Sequence, residues 1–217
     1  MPAKTTKNQS RPLVLASTSR YRRELLARLA LPFDVEAPDV DETPLPGAPP
    51  AATACRLAEA KARAVAARHD EALVIGADQV ADAGGVVFSK PADHADAVAQ
   101  LTRLAGRGVV FHTAIALVDA ASGRCAARLV DVTTTFRPLT RRAIEDYLHR
   151  ERPYDCAASI KSEGLGIALV ESITSDDPTA LIGLPLIALV DLLRAEGVDI
   201  LSEGTSAEGA ASGNVAR

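Results

Sequence analysis

The spacing of apolar residues along the chain predicts strands that alternate with helices. Short continuous apolar runs bounded by polar turns are typical of buried strands, whereas apolar residues recurring every three or four positions are typical of helices that face a core. On this basis strands are expected at 13–15, 33–37, 73–75, 86–88, 109–118, 128–136 and 167–170. Helices are expected at 22–29, 51–68, 95–104, 141–150 and 186–195.

The connections between these elements are of two kinds. Turns at Gly84-Gly85 and Ser122-Gly123 predict hairpins, which join antiparallel strands, and the remaining strands are separated by helical crossovers. We therefore predict an α/β fold with a mixed, twisted sheet flanked by helices. One domain is expected at 12–201, between a disordered leader at 1–11 and a small, polar, flexible tail at 202–217.

Composition narrows the class of protein. The chain has 217 residues with 47% hydrophobic content, which is enough for a sizeable core, and no apolar run has the uninterrupted length of a membrane span. Its first residues lack the apolar centre of a secretory signal, so the cytoplasm is expected. A net charge of −4 counts against a general nucleic-acid-binding surface. The three cysteines have no zinc or redox spacing.

The stretch at 13–26 indicates an anion site. A predicted strand ends in a loop with Ser17 and Ser19. Arg20 follows this loop, and a basic predicted helix begins at Arg22. The first turn of a helix offers unpaired N–H groups and partial positive charge, and the hydroxyl and guanidinium groups add donors. A phosphate or polyphosphate suits this arrangement. The alternative is a serine N-cap followed by a solvated basic helix face.

Two carboxylates indicate a metal site opposite these cations. Asp78 follows the apolar run at 73–75 and the small residues after it, so we expect it at the carboxyl edge of the sheet, where α/β proteins bind ligands. Glu42 lies in a loop before a Pro-rich link. Hard carboxylate oxygens together with phosphates are typical ligands of Mg²⁺, and Asp78 is the predicted general base for attack of water on phosphorus. The alternatives are a turn-forming Asp78 and a helix-capping Glu42.

Other polar side chains are candidates for binding or for structure. Lys61 and Lys90 suit phosphate oxygens or a solvated surface, and the loop at 153–166, which holds Lys161 and Glu163, is a candidate binding loop. The four histidines are dispersed in the sequence and are interpreted as structural: His69, His94, His112 and His149.

Five motifs in this order resemble the Maf family of nucleoside triphosphate pyrophosphatases. They are LASTSRYRRELL, PDVDET, IGADQV, SKP and CAASIKSEGLG, the last followed by GLPL, and together they span about 13–197. The resemblance implies a mixed α/β fold related to the inosine triphosphate pyrophosphatases, with two lobes around a cleft, and a homodimer. It also implies hydrolysis between the α- and β-phosphates of a nucleoside triphosphate with a divalent metal cation (Mg, Mn or Co).

The same resemblance implies roles for individual residues. Asp78 would be the proton acceptor, and Glu42 would hold the metal together with Asp78. Phosphate contacts would come from hydroxyl and basic side chains at six positions: Ser17, Ser19, Arg22, Lys61, Lys90 and Lys161.

Three further residues are similar to the group within this family that hydrolyses 7-methyl-GTP. Methylation at N7 makes guanine cationic, so the ring of Tyr21 can stack on it with a cation–π component. Glu163 can accept from the guanine N1–H and amine, and Gln79 completes the set. Arg20 stands where the family usually has proline, and Tyr21 where this group commonly has tryptophan. The alternatives are a pyrophosphatase of the same fold that acts on UTP, dTTP or another non-standard nucleotide, and a non-catalytic nucleotide-binding regulator of septum formation.

Overall fold

The computed structural model describes residues 11–201. The predicted leader, except for Arg11, and the predicted tail lie outside the described residues. Arg11 forms ion pairs with Asp119 and Glu196, with N–O distances of 3.3 Å and 3.2 Å. None of the helices within residues 11–201 is long and apolar enough to cross a membrane.

Over residues 11–201 the fold has seven strands and five α-helices. The strands are β1 (Leu13–Ala16), β2 (Asp34–Glu36), β3 (Leu73–Ala83), β4 (Val86–Phe88), β5 (Gly108–Asp119), β6 (Cys125–Phe136) and β7 (Val170–Thr174). The helices are α1 (Arg20–Ala27), α2 (Pro50–Ala66), α3 (His94–Leu104), α4 (Arg141–Glu151) and α5 (Leu186–Ala195). Short 3₁₀ helices occur at Ala157–Ser159, Leu165–Leu169 and Ala180–Ile182.

The strands form one mixed sheet, as predicted. Its order is β2-β1-β3-β5-β6-β7, and β4 pairs with β3. β1 is parallel to both β2 and β3, whereas β3, β4, β5, β6 and β7 pair with one another in antiparallel fashion. The predicted hairpins join β3 to β4 and β5 to β6. Side chains cap two of the helices, because Asp93 accepts from an N–H of α3 and Thr140 from an N–H of α4.

The predicted position of Asp78 at a strand end is wrong. The predicted strand stopped at Ile75 because Gly76 and Ala77 resemble a turn, but β3 continues to Ala83 and remains paired with β5 through Asp82. Asp78 therefore lies inside a strand.

Position 76 requires glycine because α2 packs closely against β3 there. A Cβ placed on Gly76 would collide with the carbonyl oxygen of Ala58 and would lie 2.6 Å from the backbone nitrogen of Ala62. The absence of a side chain at Gly76 thus permits the close approach of α2.

The last strand also differs from its prediction. The apolar run at 167–170 predicted a strand there, but its first residues lie in the 3₁₀ helix Leu165–Leu169 and β7 is Val170–Thr174. Residues 171–174 are exposed, so the strand that pairs with the end of β6 has no continuous apolar run.

In the part of the chain that the structure describes, three apolar clusters form the cores of two lobes. On one face of the sheet, Leu15 and Ile75 pack with residues of α1 and α5, and on the other face Val14 and Val74 pack with α2. A third cluster joins the far ends of β3 and β5 to α3 and α4. Because side chains alternate along a strand, Asp78 shares the face of β3 that carries Val74 and packs on α2. The two-lobed arrangement agrees with the expected fold.

The close contact at Gly76 makes a prediction for stability. We expect Gly76→Ala to lower the free energy of unfolding by about 1–3 kcal/mol, because the added methyl group overpacks the boundary between α2 and β3. Gly108→Ala is the matched control, since a Cβ there meets nothing within 4 Å and the backbone is not left-handed. Urea unfolding of both variants tests this. Equal stability of the two variants would contradict the packing role of Gly76.

Candidate active site

A cleft of about 700 Å³ lies between the two lobes. It forms where one edge of β3 changes its partner: β1 pairs with residues 73–76 and β4 with residues 81–83. Among the described residues, no strand pairs with that edge over 77–80. The loop that follows β1 and the loop after α4 reach this gap and supply much of the lining of the cleft.

The structure brings ten of the eleven predicted site residues to this cleft. Those that line it are Ser17, Ser19, Tyr21, Arg22, Glu42, Lys61, Asp78, Gln79, Lys90 and Glu163. Lys161 is not part of the lining, because its ammonium group forms an ion pair of 2.8 Å with Glu151. The Lys161 nitrogen lies 5.9 Å from the centre of the Tyr21 ring, so it is close to the cleft without facing it.

Lys61 joins the two carboxylates that were predicted as metal ligands. Its Nζ lies 2.7 Å from Asp78 Oδ1 and 2.9 Å from Glu42 Oε1. The Lys61 and Asp78 side chains are only 7% and 10% exposed, whereas that of Glu42 is 59% exposed. Buried charges require partners, and α2 delivers this one to β3 because Gly76 lets the helix approach. Two hard oxygen donors thus converge on one cationic centre, which is a donor set suited to a divalent cation.

The hydroxyl loop is built as a helix start. Ser19 Oγ accepts from the backbone N–H of Arg22 at 3.4 Å and caps α1, and the buried Ser17 Oγ accepts from the N–H of Ser19 at 3.1 Å. The cap interpretation of Ser19 is therefore correct. The cap and an anion site are compatible, since the N-terminus of α1 still faces the cleft.

Arg22 is anchored across the cleft. Its Nε donates to the carbonyl oxygen of Gly183 at 2.9 Å. Burial lowers the pKa of the Arg22 guanidinium, while the charges of Asp78 and Glu42 raise it. An arginine remains cationic under such shifts, so Arg22 brings a fixed positive charge to the carboxylates and the hydroxyl loop.

Tyr21 is held by contacts on both sides of the cleft. Its hydroxyl oxygen lies 2.6 Å from Arg20 Nη2, which donates to it, and the hydroxyl donates to Asp155 at 3.1 Å. Arg20 also forms an ion pair of 3.5 Å with Asp155, and its guanidinium carbon lies 4.6 Å from the centre of the Tyr21 ring. Burial raises the pKa of Tyr21, so the phenol stays neutral. Sequence reasoning missed Asp155, because its only signal was membership of the candidate loop.

Cys156 lies against the same tyrosine. Its Sγ is 3.7 Å from the hydroxyl oxygen of Tyr21. Burial raises the pKa of the Cys156 thiol to about 12. A thiol with such a pKa is not a nucleophile at neutral pH, so Cys156 contributes surface to the cleft and no covalent chemistry.

Gln79 is fixed from the opposite face of β3. Its amide nitrogen lies within donating distance of Thr113 Oγ1 (2.9 Å) and of the carbonyl oxygens of Ala180 (3.0 Å) and Leu181 (3.1 Å). Its carbonyl oxygen is the group left to accept from a ligand. Thr113 was missed, although a hydroxyl inside the apolar run 109–118 signals a buried group that needs a partner.

Glu151 organises the loop that carries Glu163. It accepts from Lys161 Nζ at 2.8 Å and from the N–H of Leu165 at 2.6 Å. A Cβ on Gly164 would lie 2.7 Å from the Glu151 carboxylate, so a side chain at this position would displace that carboxylate. The hydrogen bond from Lys161 is the main cause that lowers the pKa of Glu151. Lys161 therefore holds the loop together, and its contact with phosphate stays a prediction.

Comparison with known proteins supports the resemblance found in the sequence. A family model described as Maf-like protein matches residues 12–196. A protein of Thiobacillus denitrificans named 7-methyl-GTP pyrophosphatase is 59% identical over 88% of this chain and 94% of its own length. Proteins of the same name from a Polaromonas species (59% identical, 89% of each chain) and Nitrosospira multiformis (56% identical, 90% and 99%) are also similar.

The role of Glu151 makes a pH-dependent prediction. We expect Glu151→Gln to lower the free energy of unfolding by about 1–3 kcal/mol at pH 7, because two hydrogen bonds to a carboxylate are weakened. The pKa of Glu151 is lower in the folded protein than in the unfolded chain, where it is about 4.3. The ionised carboxylate therefore stabilises the fold at pH values above about 4.3, and this contribution disappears as the pH falls through the pKa of the folded state. The difference from the unsubstituted protein should therefore shrink below about pH 4.

Urea unfolding at several pH values measures this difference. Asp146→Asn is the control on the same helix, because the Asp146 side chain is 67% exposed and 3.8 Å from its partner Arg142. We expect a change within about 0.5 kcal/mol for the control. A pH-independent effect of Glu151→Gln, or an equal effect of the control, would contradict the assignment.

Proposed function

The chain belongs to the Maf-like protein family, and from this membership and the cleft we propose that it hydrolyses 7-methyl-GTP to 7-methyl-GMP and pyrophosphate. One observation carries the proposal. The Lys61-linked carboxylates Asp78 and Glu42 share a single cleft with the hydroxyl loop, Arg22 and the loop of Glu163.

The cations around the hydroxyl loop bind the triphosphate. Arg22 is fixed by its bond to Gly183, and exposed Lys90 follows β4 at the edge of the same cleft. The N-terminus of α1 adds partial positive charge, and the hydroxyl groups of Ser17 and Ser19 add donors. These groups together offset the negative charge of a triphosphate at one end of the cleft.

Glu42 and Asp78 are the residues that would hold a divalent cation. When bound, Mg²⁺, Mn²⁺ or Co²⁺ supplies charge stabilisation to phosphate oxygens and lowers the pKa of a coordinated water. The fit rests on the donor set, since both carboxylates already share one cationic contact, Lys61 Nζ. Lys61 thus balances the two carboxylates and fixes Asp78.

Asp78 accepts the proton of the attacking water. The water oxygen bonds to the α-phosphorus, and the anhydride bond between the α- and β-phosphates breaks. Pyrophosphate leaves with the electron pair of that bond. Lys61 contacts Oδ1 of Asp78, so the other carboxylate oxygen is available to take the proton. Position within a paired strand keeps Asp78 from moving, which favours a fixed attack geometry.

The other end of the cleft suits a cationic purine. Tyr21 offers an aromatic face, Glu163 accepts from the N1–H and amine of guanine, and the carbonyl oxygen of Gln79 is a further acceptor. Arg20 lies against the Tyr21 ring, but its charge is paired with Asp155. Asp155 and Glu163 therefore leave this end acidic around Arg20, which favours the positive charge of 7-methylguanine.

The alternatives remain separate hypotheses. A UTP or dTTP pyrophosphatase would bind the triphosphate in the same way, but its neutral pyrimidine base would not be stabilised by the acidic end of the cleft. A regulator of septum formation would bind nucleotide without turnover. A cytoplasmic location, a homodimer and the absence of general nucleic-acid binding also stay predictions.

Substitution of Asp78 tests the reaction. We expect Asp78→Asn to lower kcat for pyrophosphate release from 7-methyl-GTP by about 10²–10⁴-fold while the protein still binds the nucleotide, because proton acceptance is lost. Asp82→Asn is the control on the same strand, since Asp82 accepts from the N–H of Gly85 at the hairpin. Release of pyrophosphate is measured with Mg²⁺, Mn²⁺ and Co²⁺ in turn. Full activity of Asp78→Asn would exclude Asp78 as the base, and absence of turnover in the unsubstituted protein would favour the regulator.

A further inference from the structure

His94, Glu145 and His149 meet between α3 and α4, outside the lining of the cleft. His94 begins α3, and Glu145 and His149 lie one turn apart on α4. His94 Nε2 is 2.7 Å from Glu145 Oε2, the histidine ring centres are 5.0 Å apart, and one ligand atom of each residue lies within 4.8 Å of the others. Folding thus brings together two histidines that are far apart in the sequence, because α3 packs against α4.

The ring nitrogens are oriented for binding a metal. His149 Nδ1 lies 2.8 Å from the carbonyl oxygen of Glu145, which can only accept, so Nδ1 carries the proton and Nε2 keeps its lone pair. His94 Nε2 donates to Glu145 Oε2 at 2.7 Å, so a metal bound here would displace the Nε2 proton. Nδ1, which lies 2.9 Å from the hydroxyl of Tyr154, would then carry the proton and donate to that hydroxyl. Histidines that bind metals are oriented by such hydrogen bonds from the second ring nitrogen.

We propose that His94, Glu145 and His149 bind a transition-metal dication of the Zn²⁺ class. A set of two imidazole nitrogens and one carboxylate oxygen binds Zn²⁺ in preference to Mg²⁺. Zn²⁺ is usually four-coordinate, so three protein ligands leave a fourth position for water. The ion pair of Arg141 with Glu145 is formed with Oε1, at 3.1 Å, and the Arg141 side chain is 78% exposed. This ion pair therefore does not block the binding of a metal to Oε2. This metal site is distinct from the site of the proposed reaction, because Glu42 and Asp78 lie in the cleft and these three residues do not line it.

Binding there would connect three parts of the second lobe. The metal would join the start of α3 to α4, and the His94–Tyr154 hydrogen bond extends this connection to the residue before Asp155. Asp155 contacts Tyr21 at the base end of the cleft. The metal therefore braces the start of the loop 153–166, and the expected effect is a higher Tm.

The test uses the full chain without an affinity tag. Zn²⁺ binding is measured by competition with a chromophoric chelator, and Tm is measured with and without Zn²⁺. Asp78→Asn separates this site from the cleft, because we expect it to retain the zinc site. His149→Gln and Glu145→Gln should each weaken Zn²⁺ binding at least about tenfold and abolish the zinc-dependent rise in Tm.

His69→Gln is the matched control. It removes a histidine whose Nε2 lies 2.7 Å from Glu36, a similar pair that is not part of a three-ligand group among the described residues. We expect it to bind Zn²⁺ like the unsubstituted protein. His149 is exposed and Glu145 partly exposed, and circular dichroism without metal verifies that both variants fold. Unchanged Zn²⁺ affinity in both folded variants, or binding that disappears in an Asp78→Asn protein whose circular dichroism shows that it is folded, would overturn the proposal.

Discussion

The buried ion pair between Lys61 and Asp78 is the interaction on which the cleft depends. It places a carboxylate in the middle of a sheet, where an unpaired charge would be strongly destabilising. The pair exists because α2 approaches β3 closely enough for Lys61 to reach Asp78, and Gly76 permits that approach. The same lysine holds Glu42 from a different segment, so one cation assembles both predicted metal ligands.

The sheet topology gives this ion pair its access to substrate. β5 pairs with one edge of β3 along most of its length, whereas β1 and β4 share the other edge and leave 77–80 between them. Substrate can therefore reach Asp78 through this edge, although β3 itself is continuous at this position. The hydroxyl loop after β1 and the loop braced by Glu151 come from different lobes and reach the cleft from two sides.

Much of this arrangement was predictable from the sequence, and the exceptions have physical reasons. Apolar periodicity gave most elements, and the ordered motifs predicted ten residues that line the cleft. The length of β3 was missed because small residues signal a turn, whereas here they permit helix packing. The partner of Lys161, the contacts of Asp155 and the meeting of His94 with His149 depend on tertiary packing, which no local pattern encodes.

We propose that Tyr21 and Glu163 recognise a cationic purine. The most direct measurement is the ratio of kcat/KM for 7-methyl-GTP to that for GTP, UTP, dTTP and CTP, in the unsubstituted protein and in Glu163→Gln. We expect a preference for 7-methyl-GTP over GTP of at least about tenfold, which corresponds to ~1.4 kcal/mol, and a smaller ratio in the variant. Equal or faster turnover of a pyrimidine nucleotide, or a ratio that Glu163→Gln leaves unchanged, would contradict it.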